Sequence, residues 1–145
     1  NTDDFDRLQK IITTFDRMNE TILFPVHPRT KKSLEALGYK PASHVRLIDP
    51  LGYVDMVTLE QSARMILTDS GGIQKEAYWL GVPCITLRDE TEWVETVEIG
   101  WNILTGAEPE KIVHCVRTFQ PPIFRPPLYG DGKVSKRCMD LLEAK

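Results

Sequence analysis

The sequence has few cysteines, no surplus of positive charge and no long apolar run. Cys84, Cys115 and Cys138 include no C-x-x-C pair, so they predict neither a zinc site nor a disulfide framework. The 18 Lys and Arg residues against 21 Asp and Glu give a net charge of −3, which excludes a broad basic surface for nucleic acid or acidic membranes. No apolar stretch approaches the roughly 18 residues of a membrane span. We therefore expect a soluble, cytoplasmic protein with reduced thiols, no metal, and no nucleic-acid or membrane partner.

Short apolar strands alternate with helices along the 145 residues. Apolar positions three and four apart follow Asp3 and Asp4 and predict a first helix that begins near Phe5. Further strands are predicted at residues 21–26, 45–48, 63–67, 84–87 and 102–104. Further helices are predicted at residues 30–37, 53–62, 73–80, 109–119 and 133–142. This alternation predicts βαβ units, and hence one α/β domain, residues 1–145, with a doubly wound parallel sheet.

The segment after the third predicted strand is the best candidate for a phosphate site. Ligands of a doubly wound sheet bind beyond the carboxyl ends of its strands. Ser70 offers a hydroxyl there, Gly71 and Gly72 let a ligand approach bare backbone, and the helix that follows supplies unpaired amides. Glu76 lies one helical turn beyond Gly72, about 5.4 Å away, where its carboxylate can accept from the two hydroxyls of a ribose. An N-cap serine, a glycine turn and a surface glutamate explain the same residues equally well.

Three other segments allow both a ligand-binding and an ordinary interpretation. His27 and Arg29 follow the first strand and can donate to a phosphate or sugar oxygen, but they can also be a locally bonded histidine and a solvated arginine. Residues 88–92 read RDETE, the usual composition of a solvated charged loop. Residues 129–133 are either a second anion cradle or, as we favour, a turn in which Asp131 caps the last helix.

Taken together, three segments resemble the non-hydrolysing UDP-N-acetylglucosamine 2-epimerases. They are residues 24–30 (FPVHPRT), 68–77 (TDSGGIQKEA) and 81–92 (GVPCITLRDETE), in matching order and spacing. The resemblance runs from residue 1 to residue 132. It implies the UDP-binding C-terminal half of a glycosyltransferase-B type fold, in which substrate lies between two Rossmann-like halves. It further implies a cytoplasmic isomerase of polysaccharide biosynthesis that uses no cofactor and is a homodimer at full length.

The resemblance also implies a reaction and a set of residue roles. Such an enzyme interconverts UDP-GlcNAc and UDP-ManNAc by removing the C2 proton, expelling UDP and adding it back. The proton-transfer carboxylates belong to the other half, so this chain alone is expected to be inactive. In this chain, His27 would hold the phosphate or leaving group as the catalytic residue. The substrate-binding residues would be Ser70, Gly71 and Gly72 for the diphosphate, Glu76 for the ribose, Leu51 and Met56 in the uracil segment 50–56, and Arg29 and Arg88 as cations.

The chain departs from the family pattern at two points. Many bacterial members have arginine at the position of Trp93 and glutamate at that of Lys75, so Arg88 is the expected substitute cation. The family also places a strand just before the segment that matches residues 1–3. We therefore expect that the N-terminal half and one central strand of the sheet are missing from this chain.

Other functions share these residues. A hydrolysing epimerase or a glycosyltransferase of the same architecture would keep the phosphate loop and the ribose glutamate but release free sugar or pass it to an acceptor. A nucleotide-sugar sensor would bind without turnover. The products formed from UDP-GlcNAc distinguish these alternatives.

Overall fold

The computed structural model describes residues 4–130 and 132–143. Within them, strands and helices alternate as the sequence pattern predicts. The strands are β1 (Ile22–Pro25), β2 (Val45–Ile48), β3 (Ile66–Thr68), β4 (Cys84–Thr86) and β5 (Asn102–Leu104). The helices are α1 (Phe5–Arg17), α2 (Pro28–Ala36), α3 (Tyr53–Ser62), α4 (Gly71–Leu80), α5 (Val94–Glu98), α6 (Pro109–Thr118) and α7 (Val134–Glu143). No helix in this part of the chain is long and apolar enough to cross a membrane.

Some boundaries differ from the sequence prediction for local reasons. β3 begins at Ile66 rather than at residue 63 because Ala63 still ends α3, its amide donating to the carbonyl of Glu60. α4 begins at Gly71, two residues before the predicted start, because the low helix propensity of glycine hides the first turn from a propensity-based reading. Helix α5 was not predicted, since five residues are too few to show an apolar period.

The start of α1 is fixed by Asp4. Its carboxylate accepts hydrogen bonds from the amides of Asp6 and Arg7 at 3.0 and 3.1 Å, which makes it the N-cap. This confirms the predicted start near Phe5, while the acidic contribution expected of Asp3 lies outside the described residues. The apolar face of α1 is buried, and its members are Leu8, Ile11, Ile12 and Phe15.

Helices cover both faces of the sheet, as a doubly wound fold requires. Successive residues of a strand point to opposite faces. On β4, Cys84 packs with residues of α4 such as Ala77, whereas Ile85 packs with α1 and α6 through residues such as Phe15 and Ile112. The α/β fold class is therefore as predicted.

The strands form two separate parallel sheets rather than one. β1 pairs with β2, and β4 pairs with β3 on one side and β5 on the other. β1 and β3 are not hydrogen-bonded to each other, and residues of both strands line a cavity of about 730 Å³. We call this cavity the interstrand slot.

A buried hydrogen-bond network joins α4 to the three-stranded sheet. The side-chain oxygen of Gln74 accepts from Thr91 at 2.6 Å and from the Asn102 amide at 3.1 Å. Asn102 in turn accepts from Thr86 at 2.8 Å and donates to Thr96 at 3.2 Å. Because a buried polar group left unpaired is costly, these bonds fix α4 on β4 and β5.

Glu60 is a buried acid that lines the interstrand slot. Its side chain is on α3, only 3% of the residue is exposed, and neither carboxylate oxygen has a hydrogen-bond partner among the described residues. Burial, together with the neighbouring carboxylate of Glu76, raises the pKa of Glu60 to about 7.

The buried acid predicts an unusual pH dependence of stability. Between its ordinary pKa of 4.5 and the folded value of about 7, the folded chain holds a proton that the unfolded chain has released, so stability falls as pH rises. We expect Glu60→Gln to remove most of this fall and to be more stable than wild type above pH 7 by on the order of 1–3 kcal/mol. Urea unfolding at about pH 5 and about pH 8 measures the difference, with Glu35→Gln on the exposed face of α2 as control. The same pH dependence in wild type and Glu60→Gln would contradict the burial of an unpaired carboxylate.

Candidate functional site

Four of the nine predicted site residues line two cavities that share Asp69. The interstrand slot is lined by His27 after β1, Met56 on α3 and Ser70 after β3. A smaller cavity of about 330 Å³ is lined by residues that include Asp69 and Arg88. The structure thus brings His27, Met56 and Ser70 together. The other candidates line neither cavity, and these are Gly71, Gly72, Glu76, Arg29 and Leu51.

The N-terminus of α4 is open to a ligand. Ser70 occupies the N-cap position, as the alternative interpretation expects. Its hydroxyl, however, makes no capping hydrogen bond. The first amides of a helix have no carbonyl one turn back, and the Ser70 side chain does not replace it here. Gly72 is exposed, and a Cβ built on it would meet only the Ser70 hydroxyl, at 3.8 Å. Bare amides at the positive end of a helix can bind an anion.

His27 is both locally bonded and available. It is the N-cap of α2, where its Nδ1 accepts from the amide of Arg29 at 3.3 Å. A neutral imidazole that accepts at Nδ1 carries its proton on Nε2. Because His27 is exposed and lines the slot, this second nitrogen can donate to a ligand. The local hydrogen bond expected of His27 is therefore present at Nδ1, and ligand binding through Nε2 stays a prediction.

The loop after β4 is tied to the first turns of α4 rather than lying free in solvent. The indole Nε1 of Trp93 donates to the carbonyl of Gly71 at 2.8 Å. The hydroxyl of Thr91 accepts from the Trp93 amide at 3.1 Å and donates to Gln74. Asp89 and Glu90 are exposed. The solvated loop expected for residues 88–92 is therefore seen at these two positions, whereas Thr91 is bonded to α4.

Arg88 lies near the site but is paired. Its Nη1 contacts Glu92 Oε2 at 3.0 Å, and Glu92 also lies against Gly71. Trp93 supplies no positive charge, as the sequence indicates, and acts on Gly71 through its indole N–H instead. The cation nearest to the helix start in this loop is therefore already neutralised by a carboxylate.

The remaining candidates, Glu76, Leu51 and Arg29, line neither cavity. Glu76 is half-buried on α4 and close enough to Glu60 to affect its pKa. Leu51 is 38% exposed and Arg29 is exposed. No group of three or more His, Cys, Asp or Glu side chains in the described part of the chain could hold a metal ion.

Two glycines near the C-terminus, Gly130 and Gly132, have left-handed backbone conformations. Gly130 and Gly132 have φ values of +84° and +75°, the left-handed region that glycine enters readily. This agrees with the turn favoured from the sequence, while the capping role expected of Asp131 lies outside the described residues.

The sequence pattern gave no indication of roles for Thr68, Thr91 and Trp93. Thr68 accepts from the Ser70 amide at 3.0 Å, and the other two tie the loop after β4 to α4. Residues 68 and 91 fall inside the segments that carry the family resemblance, which was the only available signal for them.

Comparison with known proteins gives a consistent result. The model of the UDP-N-acetylglucosamine 2-epimerase family matches residues 1–143. A UDP-N-acetylglucosamine 2-epimerase homolog of Methanococcus maripaludis is 48% identical over 98% of this chain and 41% of its own length. A UDP-2,3-diacetamido-2,3-dideoxy-D-glucuronate 2-epimerase of Pseudomonas aeruginosa is 43% identical over 98% of this chain and 41% of its own length.

A solved structure agrees with the fold. The UDP-GlcNAc 2-epimerase of Methanocaldococcus jannaschii, in complex with UDP-GlcNAc and UDP, matches with a TM-score of 0.87 and 39% identity. The match covers 100% of this chain and 42% of that one. The predicted Rossmann-like fold is confirmed, and the chain spans about two fifths of the length of the relatives it matches.

The two glycines of the α4 start should differ in their tolerance of a side chain. A Cβ on Gly71 would lie 1.9 Å from Glu92 Oε1 and 3.5 Å from the Trp93 indole nitrogen, whereas one on Gly72 meets nothing closer than 3.8 Å. Both changes gain similar helix propensity. We therefore expect Gly71→Ala to be less stable than Gly72→Ala by on the order of 1 kcal/mol in thermal unfolding. Equal stabilities would show that the Glu92 side chain moves away from position 71 at no cost and would contradict this prediction.

Proposed function

The chain belongs to the UDP-N-acetylglucosamine 2-epimerase family, and on that premise we propose that it is the UDP-binding part of a 2-epimerase that interconverts UDP-GlcNAc and UDP-ManNAc. One observation carries the proposal. The uncapped N-terminus of α4, with Ser70, Gly71 and Gly72, directly follows β3 beside a slot that His27 and Met56 also line. An anion-binding helix end beside a donor and an apolar side chain suits a nucleoside diphosphate.

The diphosphate would lie on the amides of Gly71 and Gly72. The positive end of the α4 dipole favours it there, and the uncommitted Ser70 hydroxyl can add a hydrogen bond. The Nε2–H of His27 would donate to the same group. Arg29, two residues after His27, adds positive charge. Arg88 is paired with Glu92 and contributes less.

The nucleoside would extend away from the helix start. Glu76 lies one turn beyond Gly72 on the same face of α4, so its carboxylate can accept from both ribose hydroxyls. Leu51 and Met56 belong to the segment after β2 and the start of α3, where apolar side chains can pack on the uracil. The diphosphate, ribose and base would thus each contact a different part of the domain.

Holding the diphosphate is itself a catalytic task in this reaction. As the C2 proton leaves, the electrons of the C2–H bond form the C1–C2 double bond, the C1–O bond breaks, and UDP departs with the electron pair of the C1–O bond. Negative charge therefore grows on the diphosphate in the transition state. The helix end and the His27 N–H would stabilise that charge, and the same contacts would hold UDP for re-addition.

The proton-transfer groups would lie outside this chain. Epimerisation needs a base on one face of C2 and an acid on the other, both within hydrogen-bonding reach. The chain spans 41% of the length of the Methanococcus maripaludis relative. A protein of that length has room for a second half that completes the cleft. This chain by itself would then bind UDP without turnover.

We also propose that a further parallel strand of the full-length protein fills the interstrand slot. The slot is lined by both β1 and β3, and neither pairs with the other. At one end, Glu20 before β1 and Arg64 before β3 both line the slot and form an ion pair at 3.2 Å. An inserted strand would join the two sheets into one and cover their exposed edges.

A second candidate differs only in the sugar. The Pseudomonas aeruginosa relative is named for a diacetamido glucuronate rather than for UDP-GlcNAc, and its identity to this chain is 43%. Since the residues proposed here contact the UDP part, either sugar is compatible with them. Incubation of the full-length protein with each UDP-sugar, with product sugars and free UDP measured, distinguishes the two and also detects a hydrolysing enzyme.

Ligand fragments should map the proposed site on the isolated chain. We expect UDP to bind with a Kd of about 1 mM, about −4 kcal/mol, because half of the cleft is absent. In amide NMR, UDP and inorganic diphosphate should shift Gly71 and Gly72, whereas uridine should shift Glu76 and the segment around Leu51 and Met56 and leave Gly71 and Gly72 unshifted. In Gly72→Ala, the added methyl group would occupy the space in which the diphosphate approaches the backbone, so UDP should no longer shift these amide signals. Thermal stability should be kept, because a Cβ at this position disturbs no protein atom. Saturating UDP that leaves Gly71 and Gly72 unshifted would place the diphosphate elsewhere.

Glu76→Gln should separate the ribose from the diphosphate. Loss of a charged acceptor should weaken UDP binding by roughly 1.5–3 kcal/mol while leaving inorganic diphosphate binding unchanged. Glu98→Gln, an exposed carboxylate on α5, is the matched control. Equal losses for UDP and diphosphate would rule out the ribose role.

A further inference from the structure

Lys75 lies among three aromatic rings beside the first turn of α4. Its Nζ is 4.7 Å from the ring centroid of Trp93, 4.8 Å from that of Tyr129 and 5.1 Å from that of Trp79. All three distances are within the roughly 6 Å at which an ammonium group is attracted to an aromatic face. We call Lys75, Trp79, Trp93 and Tyr129 the aromatic cage.

The rings of the cage also hold one another. Tyr129 packs edge to face on Trp79 and on Trp93, with centroids 6.1 and 5.7 Å apart and interplanar angles of 87° and 81°. Among the described residues Lys75 forms no ion pair with a carboxylate, so ring faces are its electrostatic partners. The cage joins α4, the start of α5 and the turn at residue 129.

Trp93 connects the cage to the proposed diphosphate site. Its indole N–H donates to the carbonyl of Gly71 at 2.8 Å, while its ring faces the Lys75 ammonium. Gly71 and Lys75 are four residues apart and lie on one face of α4. Gly72 and Glu76 lie about 100° further round the helix. The cage therefore contacts α4 on a face that lies beside the face proposed to bind UDP.

We propose that the aromatic cage positions the N-terminus of α4 for diphosphate binding. In this arrangement the Lys75 cation holds the Trp93 ring, and the Trp93 indole holds the Gly71 carbonyl and with it the direction of the first amides. Lys75 and Trp93 are positioning residues, and Lys75 stays in the cage instead of binding the phosphate one turn away. The functional part of this inference rests on the proposed UDP site.

The position of Lys75 can be read from the isolated chain by NMR. Protons held over aromatic faces resonate upfield, so the Lys75 ε-methylene signals should be upfield in the free chain and should stay there when UDP saturates the site. Trp79→Leu should move them toward the ordinary lysine position. Signals at the ordinary position in the free chain, or a return to it on adding UDP, would overturn the proposal.

Binding measurements on matched variants test the positioning role. Lys75→Met should weaken UDP binding about three- to tenfold, and Lys75→Arg should stay within about twofold because arginine also binds aromatic faces. Lys10→Met on the exposed face of α1 changes the net charge equally and should have no effect. Trp93→Phe keeps a ring but loses the indole donor, so it should shift the Gly71 and Gly72 amide signals of the free chain and weaken UDP about as much as Lys75→Met does. Uridine affinity should be unchanged throughout.

The outcomes separate this inference from the proposed function. Were Lys75 a phosphate ligand, Lys75→Met would weaken UDP binding while Trp93→Phe kept wild-type affinity, and the positioning role would be wrong. Failure of wild type to show UDP shifts at Gly71 and Gly72 would refute the diphosphate site. The cage would then still be judged on the free chain, where unchanged Gly71 signals in Trp93→Phe would refute it.

Discussion

The side-chain oxygen of Gln74 is the acceptor on which the geometry of the site depends. It accepts hydrogen bonds from the Thr91 hydroxyl, in the loop after β4, and from the Asn102 amide on β5. Only 1% of the Gln74 residue is exposed. These bonds make α4, that loop and the three-stranded sheet one rigid unit. The body of α4 is thus held from the core, and the contact of Trp93 with the Gly71 carbonyl acts on its first turn.

Much of the fold was predictable because it is encoded locally. Asp4 could be read as the start of α1, and the alternation of short apolar strands with helices predicted the parallel α/β fold. Contacts between distant segments could not be read in this way. Nothing in the spacing indicates that Trp93 reaches Gly71 or that Glu60 points into a slot, because both depend on how the helices pack.

The candidate site was predictable to a similar degree. Ser70, Gly71 and Gly72 were found from their place after a strand and before a helix, and His27 and Met56 line the same slot as Ser70. The roles of these five residues, like those of Leu51, Arg29 and Glu76, are predictions. Arg88 illustrates the limit of sequence reasoning, because its charge was visible in the sequence whereas its pairing with Glu92 was not. The same limit hid the aromatic cage, whose members come from three separate segments.

The interstrand slot has a mechanical consequence. β1 and β2 form one hydrogen-bonded unit and β3, β4 and β5 form another, with no strand pairing between them. His27 follows the first unit, whereas Ser70 and Gly71 follow the second. A ligand held by His27 and by the α4 amides at once would cross-link the two sheets, in addition to the shared apolar core under α1 and α6 and the Glu20–Arg64 ion pair that already join them. Binding energy would then be shared between holding the nucleotide and making the domain stiff.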